Sequence, residues 1–234
     1  MEKKMIGYII KHDGNDSVNE AYSNLLSSIK IHAPYIEVER YTPSSSDVSM
    51  DLMSKEIRWN YPFIQSEYDF VSGLQKSVYQ CRDETKVISC ALAHYSIWKK
   101  ISETEASYVF EYDSIFTKRL PVDFISNTKK YDIIGINSPF KATRKSNEYH
   151  SKVQAESSEI ARAPEIDDIS IPQGIAGNSA YCMSPLGAQH MLNLVDRYGL
   201  WPNDAIMCRQ LVPGLFQSKT YYTIVQNVPS TTRG

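Results

Sequence analysis

The chain predicts an α/β fold, with a mostly parallel central sheet flanked by helices in one domain spanning residues 1–234. Two observations carry that expectation. Met5 to Tyr41 reads as strand, helix, strand, the opening of a parallel layer. Farther on, an amphipathic pattern at Thr85 to Ile101 leads into an apolar run at Ser107 to Tyr112, so the alternation recurs. A length of 234 residues suits one large domain with a sizeable core, and no internal repeat breaks it.

The elements follow in order. Met5 to Ile10 is a short apolar run, read as a buried first strand, and His12-Asp13-Gly14-Asn15-Asp16 is dense in turn formers. Ser17 and Glu20 have capping-box spacing, and Leu25, Leu26 and Ile29 give a helix stripe to about His32. Pro34 ends that helix and Ile36 to Tyr41 forms the second strand. Ser44 to Gln80 has aromatic weight without a clean period and is expected to be irregular, with short helices. Val87, Ile88, Ala91, Leu92, Tyr95, Trp98 and Ile101 are expected on one face of the next helix.

Tyr131 to Ile136 predicts another strand. Lys141 to Asp168 is polar and poor in large aliphatics, so it is expected to be a mobile excursion over the site rather than part of the core. Ala180 to Met183 predicts a strand, and Ser184, Pro185 and Gly199 supply the cap, first turn and stop of a helix. Trp201-Pro202-Asn203-Asp204 opens one more helix, and Thr220 to Val225 closes the chain's pattern as a late strand.

Composition removes several function classes. A formal charge of -2, with no basic run interleaved with aromatics, gives no reason to expect a nucleic-acid partner. No apolar stretch approaches a membrane span, and the apolar run after Met1-Glu2-Lys3-Lys4 is too short for a secretory signal. Cys81, Cys90, Cys182 and Cys208 never fall at C-x-x-C spacing, which suits reduced thiols in a cytoplasmic protein. Nucleophile-elbow, Walker and dinucleotide-binding motifs are missing from the sequence.

The sharpest local feature is Ser107-Tyr-Val-Phe-Glu-Tyr-Asp113. Four mostly apolar residues run into two carboxylates spaced i, i+2, which an extended strand would place on one face. The end of a strand is where α/β sheets bind ligands, and two hard oxygen donors suit Mg²⁺ or Mn²⁺. By pattern alone, a strand emerging into solvent fits as well.

The neighbouring segments supply a resemblance. Cys90, His94 and Trp98 lie on the helix before the acidic strand, at the spacing of a G-C-x-x-S-H-x-x-x-W motif, with Ser89 and Ala93 in place of its Gly and Ser. Val109-Phe-Glu-Tyr-Asp113 is similar to a strand ending in L-E-D-D, with Tyr112 replacing the middle acid. Gly177-Asn-Ser-Ala-Tyr-Cys-Met-Ser-Pro-Leu-Gly-Ala188 looks like G-T-x-x-Y-x-x-S-x-x-G-A, and Pro202-Asn203-Asp204 looks like a final P-x-D. In this order, over Val87 to Met207, the segments resemble glycosyltransferase family 25, the lipopolysaccharide-type transferases.

That resemblance implies a GT-A, Rossmann-like domain, with residues 1–136 mainly binding a nucleotide-sugar and 137–234 mainly building the acceptor side. It implies a metal-dependent, inverting transfer to a carbohydrate or glycoconjugate acceptor, with a UDP-sugar as the first candidate donor. Asp113 would bind Mn²⁺ or Mg²⁺ directly and Glu111 would assist. Asp204 would be the catalytic base, although an acid at a helix start also complements the dipole. Lys11, His12 and Asp13 would meet the nucleotide base and ribose, though they lack the family's basic, Arg-containing stretch. His94 and Tyr112 would wall the donor site, and Gly177, Asn178 and Ser179 would contact the donor sugar. Two alternatives remain: a GT-A-like binding module that has lost catalysis, and a nucleotidyltransferase.

Overall fold

The N-terminal strand–helix–strand unit forms where its periodicity predicts. The structure, a computed structural model, describes residues 4–43 and 47–228. Residues 1–3, ahead of the apolar run too short for a secretory signal, and 44–46, at the start of the irregular stretch, lie outside the described residues. β1 (Met5–Ile10) and β2 (Ile36–Tyr41) pair in parallel along their full length, joined by α1 (Asp16–His32). The cap differs from expectation. Asn15, not Ser17, accepts the Val18 N–H at 3.3 Å, and the Ser17 hydroxyl instead donates to the same Asn15 oxygen at 2.7 Å.

Down the chain come α2 (Val48–Ser54), β3 (Glu67–Asp69), β4 (Leu74–Lys76), α3 (Glu84–Ser102), β5 (Ser107–Glu111), β6 (Ser114–Phe116) and β7 (Ile133–Gly135). There follow α4 (Ser146–Ala155), β8 (Ile160–Arg162), β9 (Ala180–Met183), α5 (Pro185–Tyr198), α6 (Asn203–Ile206), β10 (Leu215–Ser218) and β11 (Thr223–Val225). A seven-stranded sheet runs in the order β2-β1-β5-β9-β7-β10-β8. Five of its strands point one way, while β9 and β8 run against them. The expected mostly parallel α/β sheet is therefore present.

Strand alternation divides the core. Tyr8, Ile10, Val109, Tyr181 and Met183 pack with α3 and α5 residues on one face. Ile9, Tyr108, Phe110 and Cys182 pack with α1 residues Leu25 and Ile29 on the other. Trp98, Ile97 and Ile101 of α3 are fully buried, each contributing roughly 1.5–3 kcal/mol of apolar burial. Ser184 caps α5 by accepting from Gly187 N, and Gly199 ends it at φ 80°, both as the sequence predicts.

Three departures matter. The hairpin β3–β4 stands where irregular structure was expected. It is organised around Lys76, whose ammonium lies 2.8 Å from Glu67, 3.0 Å from the Asn60 carbonyl and 3.7 Å from Asp69. Lys141 to Asp168 is not merely an excursion. It contains α4 and β8, β8 pairs antiparallel with β10 in the sheet, and Tyr149, Val153 and Ala161 are buried. Its few apolar residues are concentrated at those positions, so average polarity hid them. Finally, β10 was not expected, because Gln217 interrupts its apolar pattern. The Gln217 amide donates to the Gly135 and Asn137 carbonyls at 3.0 and 3.2 Å, which satisfies it inside the sheet.

Candidate active site

β1 and β5 lie side by side with Ile10 opposite Glu111, so both chains leave the sheet at the same edge. β5 ends at Glu111, and Tyr112 and Asp113 form a tight turn into β6. Strand alternation therefore does not align the two acids, as the spacing argument supposed. The turn does. Tyr112 N donates to the Ile10 carbonyl at 3.0 Å, the Ser114 hydroxyl closes onto the Glu111 carbonyl at 2.9 Å, and Gln226 N donates to the Asp113 carbonyl at 2.7 Å. On the other side Glu111 N donates to the Ser179 carbonyl at 2.8 Å, which brings in the segment before β9.

This turn forms one wall of a cavity of about 560 Å³. His12, Glu111, Tyr112 and Asp113 line it from the carboxyl ends of β1 and β5. Gly177, Asn178 and Ser179 face them, and Asp204 comes from the short helix α6. Gly177 has φ 71°, and a Cβ there would stand 2.2 Å from the Asn137 amide nitrogen, so only glycine fits this approach. Tyr112 is buried and packs among Val18, Ala21 and Val228.

Three expected residues do not line the cavity. Lys11 is buried, with its ammonium 5.6 Å from the Tyr22 ring centre. Asp13 is exposed and paired with Arg40 at 2.8 Å. His94 is fully buried behind Glu111, its Nε2 3.3 Å from Oε1 and its Nδ1 2.9 Å from the Tyr181 hydroxyl. Its place is a support rather than a wall. Other lining residues had no assigned role in the sequence: Cys90, Asn203, Lys141 and the run Gln226 to Val228. Cys90 and Asn203 stood inside motif segments. The C-terminal run carries no local signal, because only the pairing of β11 with β6 delivers it.

The electrostatics are uneven. Burial and the neighbouring Glu111 charge push the Asp113 carboxyl up to about 7. Burial also opposes ionisation of Glu111, but the hydrogen bond with His94, with help from His12 and Asn203, brings it below the usual carboxylate range. Burial lowers His12. Buried polar atoms without a hydrogen-bond partner include Asp113 Oδ1, Asn178 Oδ1, Ser179 Oγ and His12 Nε2, all from residues that line the cavity. Such groups are costly unless something binds them.

Two donor sets offer themselves to a metal. Among the described residues, ligand atoms of Cys90, His94 and Glu111 lie within 4.8 Å of one another. In that set both ring nitrogens of His94 are engaged, and burial and nearby carboxylates hold the Cys90 thiol well above its usual range. The set is satisfied as it stands. Glu111 with Asp113 is different: two oxygen donors share a cavity, and one buried oxygen has no partner. A hard divalent cation fits that pair.

A mixed α/β sheet with a carboxylate-bearing cavity at the shared ends of β1 and β5 is the layout of a GT-A glycosyltransferase. The solved galactosyltransferase LgtC in complex with donor and acceptor sugar analogs has this fold, with a TM-score of 0.50 and 10% identity over 96% of this chain and 88% of that one. A mouse xyloside xylosyltransferase 1 in apo form aligns over 89% of this chain and 79% of that one, at a TM-score of 0.45 and 8% identity. No curated protein matches the sequence. The model of glycosyltransferase family 25 (LPS biosynthesis protein) matches residues 64–207, more than half of the 234 residues. The chain belongs to that family and is a glycosyltransferase.

Proposed function

We propose that this protein transfers a sugar from a nucleotide-sugar, with a UDP-sugar as the first candidate, to a hydroxyl of a carbohydrate or glycoconjugate, with inversion at the anomeric carbon. The observation that carries the reading is the buried, unpartnered Asp113 Oδ1 beside Glu111 in the cavity. A divalent cation, Mn²⁺ or Mg²⁺, held by Asp113 with Glu111 would take diphosphate oxygens as further ligands and offset the charge on the departing nucleoside diphosphate. His12 and Tyr112 would flank the nucleotide, and Gly177, Asn178 and Ser179 would meet the donor sugar. Residues 1–136 then serve mainly the donor and 137–234 mainly the acceptor.

In the transfer, the acceptor oxygen forms a bond to the anomeric carbon as the bond to the diphosphate oxygen breaks. The acceptor's proton passes to Asp204, and the nucleoside diphosphate leaves with the bonding pair. Asp204 reaches the cavity from the start of α6, separate from the acidic turn, which suits a base on the acceptor side. The Tyr112 substitution bears on the lost-catalysis alternative. Its ring packs toward α1 and leaves Glu111 and Asp113 both lining the cavity, which favours a working site. No described helix is long and apolar enough to cross a membrane. The four cysteines are free thiols, which suits a cytoplasmic location.

The test is a panel of nucleotide-sugars and glycan acceptors, with nucleoside diphosphate release and product anomer read by NMR. Mn²⁺- or Mg²⁺-dependent release with an inverted product is expected. Donor binding without release across the panel would mean a binding module, and pyrophosphate released from a nucleoside triphosphate would mean a nucleotidyltransferase.

A further inference from the structure

Behind Glu111 lies a chain of buried polar groups that the transfer itself does not use. His94 and Trp98 are one helical turn apart on α3, so both side chains face the sheet. Tyr181 of β9 pairs with Val109 of β5, two residues before Glu111, which puts Tyr181 on the same face of the sheet as Glu111. Trp98 Nε1 donates to the Tyr181 hydroxyl at 2.9 Å. The same hydroxyl lies 2.9 Å from His94 Nδ1, and His94 Nε2 lies 3.3 Å from Glu111 Oε1. His94, Trp98 and Tyr181 are all fully buried.

The proton positions follow from which groups can donate. An indole N–H only donates, so the Tyr181 oxygen accepts from Trp98. The hydroxyl hydrogen then needs an acceptor, and His94 Nδ1 is the one in reach. Nδ1 must therefore be bare. At the other end an ionised Glu111 only accepts, so Nε2 must carry the hydrogen. A neutral His94 with hydrogen on Nε2 satisfies all four groups. The opposite tautomer, or a doubly protonated ring, strands the Tyr181 hydrogen in an apolar interior.

We propose that Trp98 and Tyr181 act through His94 as positioning residues for Glu111: they fix the proton on Nε2, and that N–H holds one carboxylate oxygen so that the other is presented to the cavity. The chemistry resembles the outer hydrogen bonds that orient metal-binding side chains, whose loss costs about 10–100-fold in metal affinity. The consequence for cation binding rests on the function proposed above. The proton position does not.

The experiment has two arms on the full chain. In the first, long-range proton–nitrogen correlation of labelled histidine, assigned with His94→Gln, reads the His94 tautomer. Nε2–H is expected in the wild type, and in Tyr181→Phe, where Glu111 alone still favours it, a share of the other tautomer should appear. In the second, Mn²⁺ binding without donor is followed by electron paramagnetic resonance, with urea unfolding as a check on folding. Tyr181→Phe should weaken Mn²⁺ about tenfold. His94→Gln places an amide N–H near the Nε2 position and should stay near the wild type. His94→Asn, whose shorter amide reaches only the Nδ1 position, should lose as much as Tyr181→Phe. A wild-type ring protonated on Nδ1, or equal loss in the Gln and Asn variants, overturns the proposal. The spectrum decides the proton position whether or not Mn²⁺ binds, so failure of the cation reading is told apart from failure of this one.

Discussion

Two of the clusters in which the described residues bury charge do so in opposite ways. At the β3–β4 hairpin, Lys76 is 1% exposed and fully answered: Glu67, Asp69 and the Asn60 carbonyl surround its ammonium, and the Trp201 ring lies 5.1 Å away. At the acidic turn, Glu111 is answered by His94, but Asp113 faces Glu111 with a buried oxygen that has no partner. Buried charge with its partners in place holds structure together. Buried charge left short of partners is where a ligand belongs. Lys76 also steadies Trp201, which leads into the segment carrying Asp204, so the satisfied cluster supports the unsatisfied one.

The difference is open to direct attack. Asp113→Ala should reduce metal-dependent donor cleavage by about 10²–10³-fold or more, the loss typical of removing a group that offsets transition-state charge. Its thermal midpoint should stay level or rise, because a like-charge neighbour of Glu111 is gone. Lys76→Met should do the reverse. Leaving Asp69 buried without its cation costs about 3 kcal/mol, hence a fall in Tm on the order of 6–12 °C. Transfer per folded molecule should remain near the wild type, as measured by activity normalised to native protein.

Gly177→Ala sits between the two classes. The strained φ and the clash with Asn137 should cost about 1–3 kcal/mol in urea unfolding, and the shifted loop should weaken donor binding more than it alters cation binding.

The smallest effect concerns pH in the metal-free protein. Burial beside Glu111 raises the Asp113 carboxyl from its ordinary value to about 7, so the native state holds a proton that the unfolded chain releases over that window. Its stabilising contribution is complete below about 4 and is lost as pH rises through about 7. Glu111 is shifted the other way, so the two partly cancel. Denaturation of the wild type and Asp113→Asn at pH 5 and pH 8 isolates the Asp113 share. The variant should lose less stability between the two values than the wild type does.

Much of this was legible in the chain, and the reasons are local. β1 and β9 lie where apolar runs place them, β2 follows Pro34 as expected, and α5 begins at Ser184 because its hydroxyl and Pro185 leave little choice. What escaped was non-local. β10 hides because Gln217 finds its partners on β7 and just beyond, and the β3–β4 hairpin hides because its lysine is paid for by residues that look solvent-bound. At the site, the acidic pair was visible as a pattern, but its geometry comes from a turn pinned by β1, Ser179 and Gln226. Lys11 and Asp13 followed the strand exit in sequence, yet Tyr22 and Arg40 draw them away from the cavity.

In the function proposed here, Asp113 with Glu111 binds a cation jointly with a nucleotide-sugar. Thermal shift with a UDP-sugar panel, with and without Mn²⁺, on the wild type and Asp113→Asn, tests it most directly, since a specific ligand raises apparent stability by mass action. One donor and Mn²⁺ together should raise the wild-type midpoint more than the sum of each alone, and this excess should disappear in Asp113→Asn. The same donor-induced shift without metal, or an undiminished excess in the variant, would contradict it.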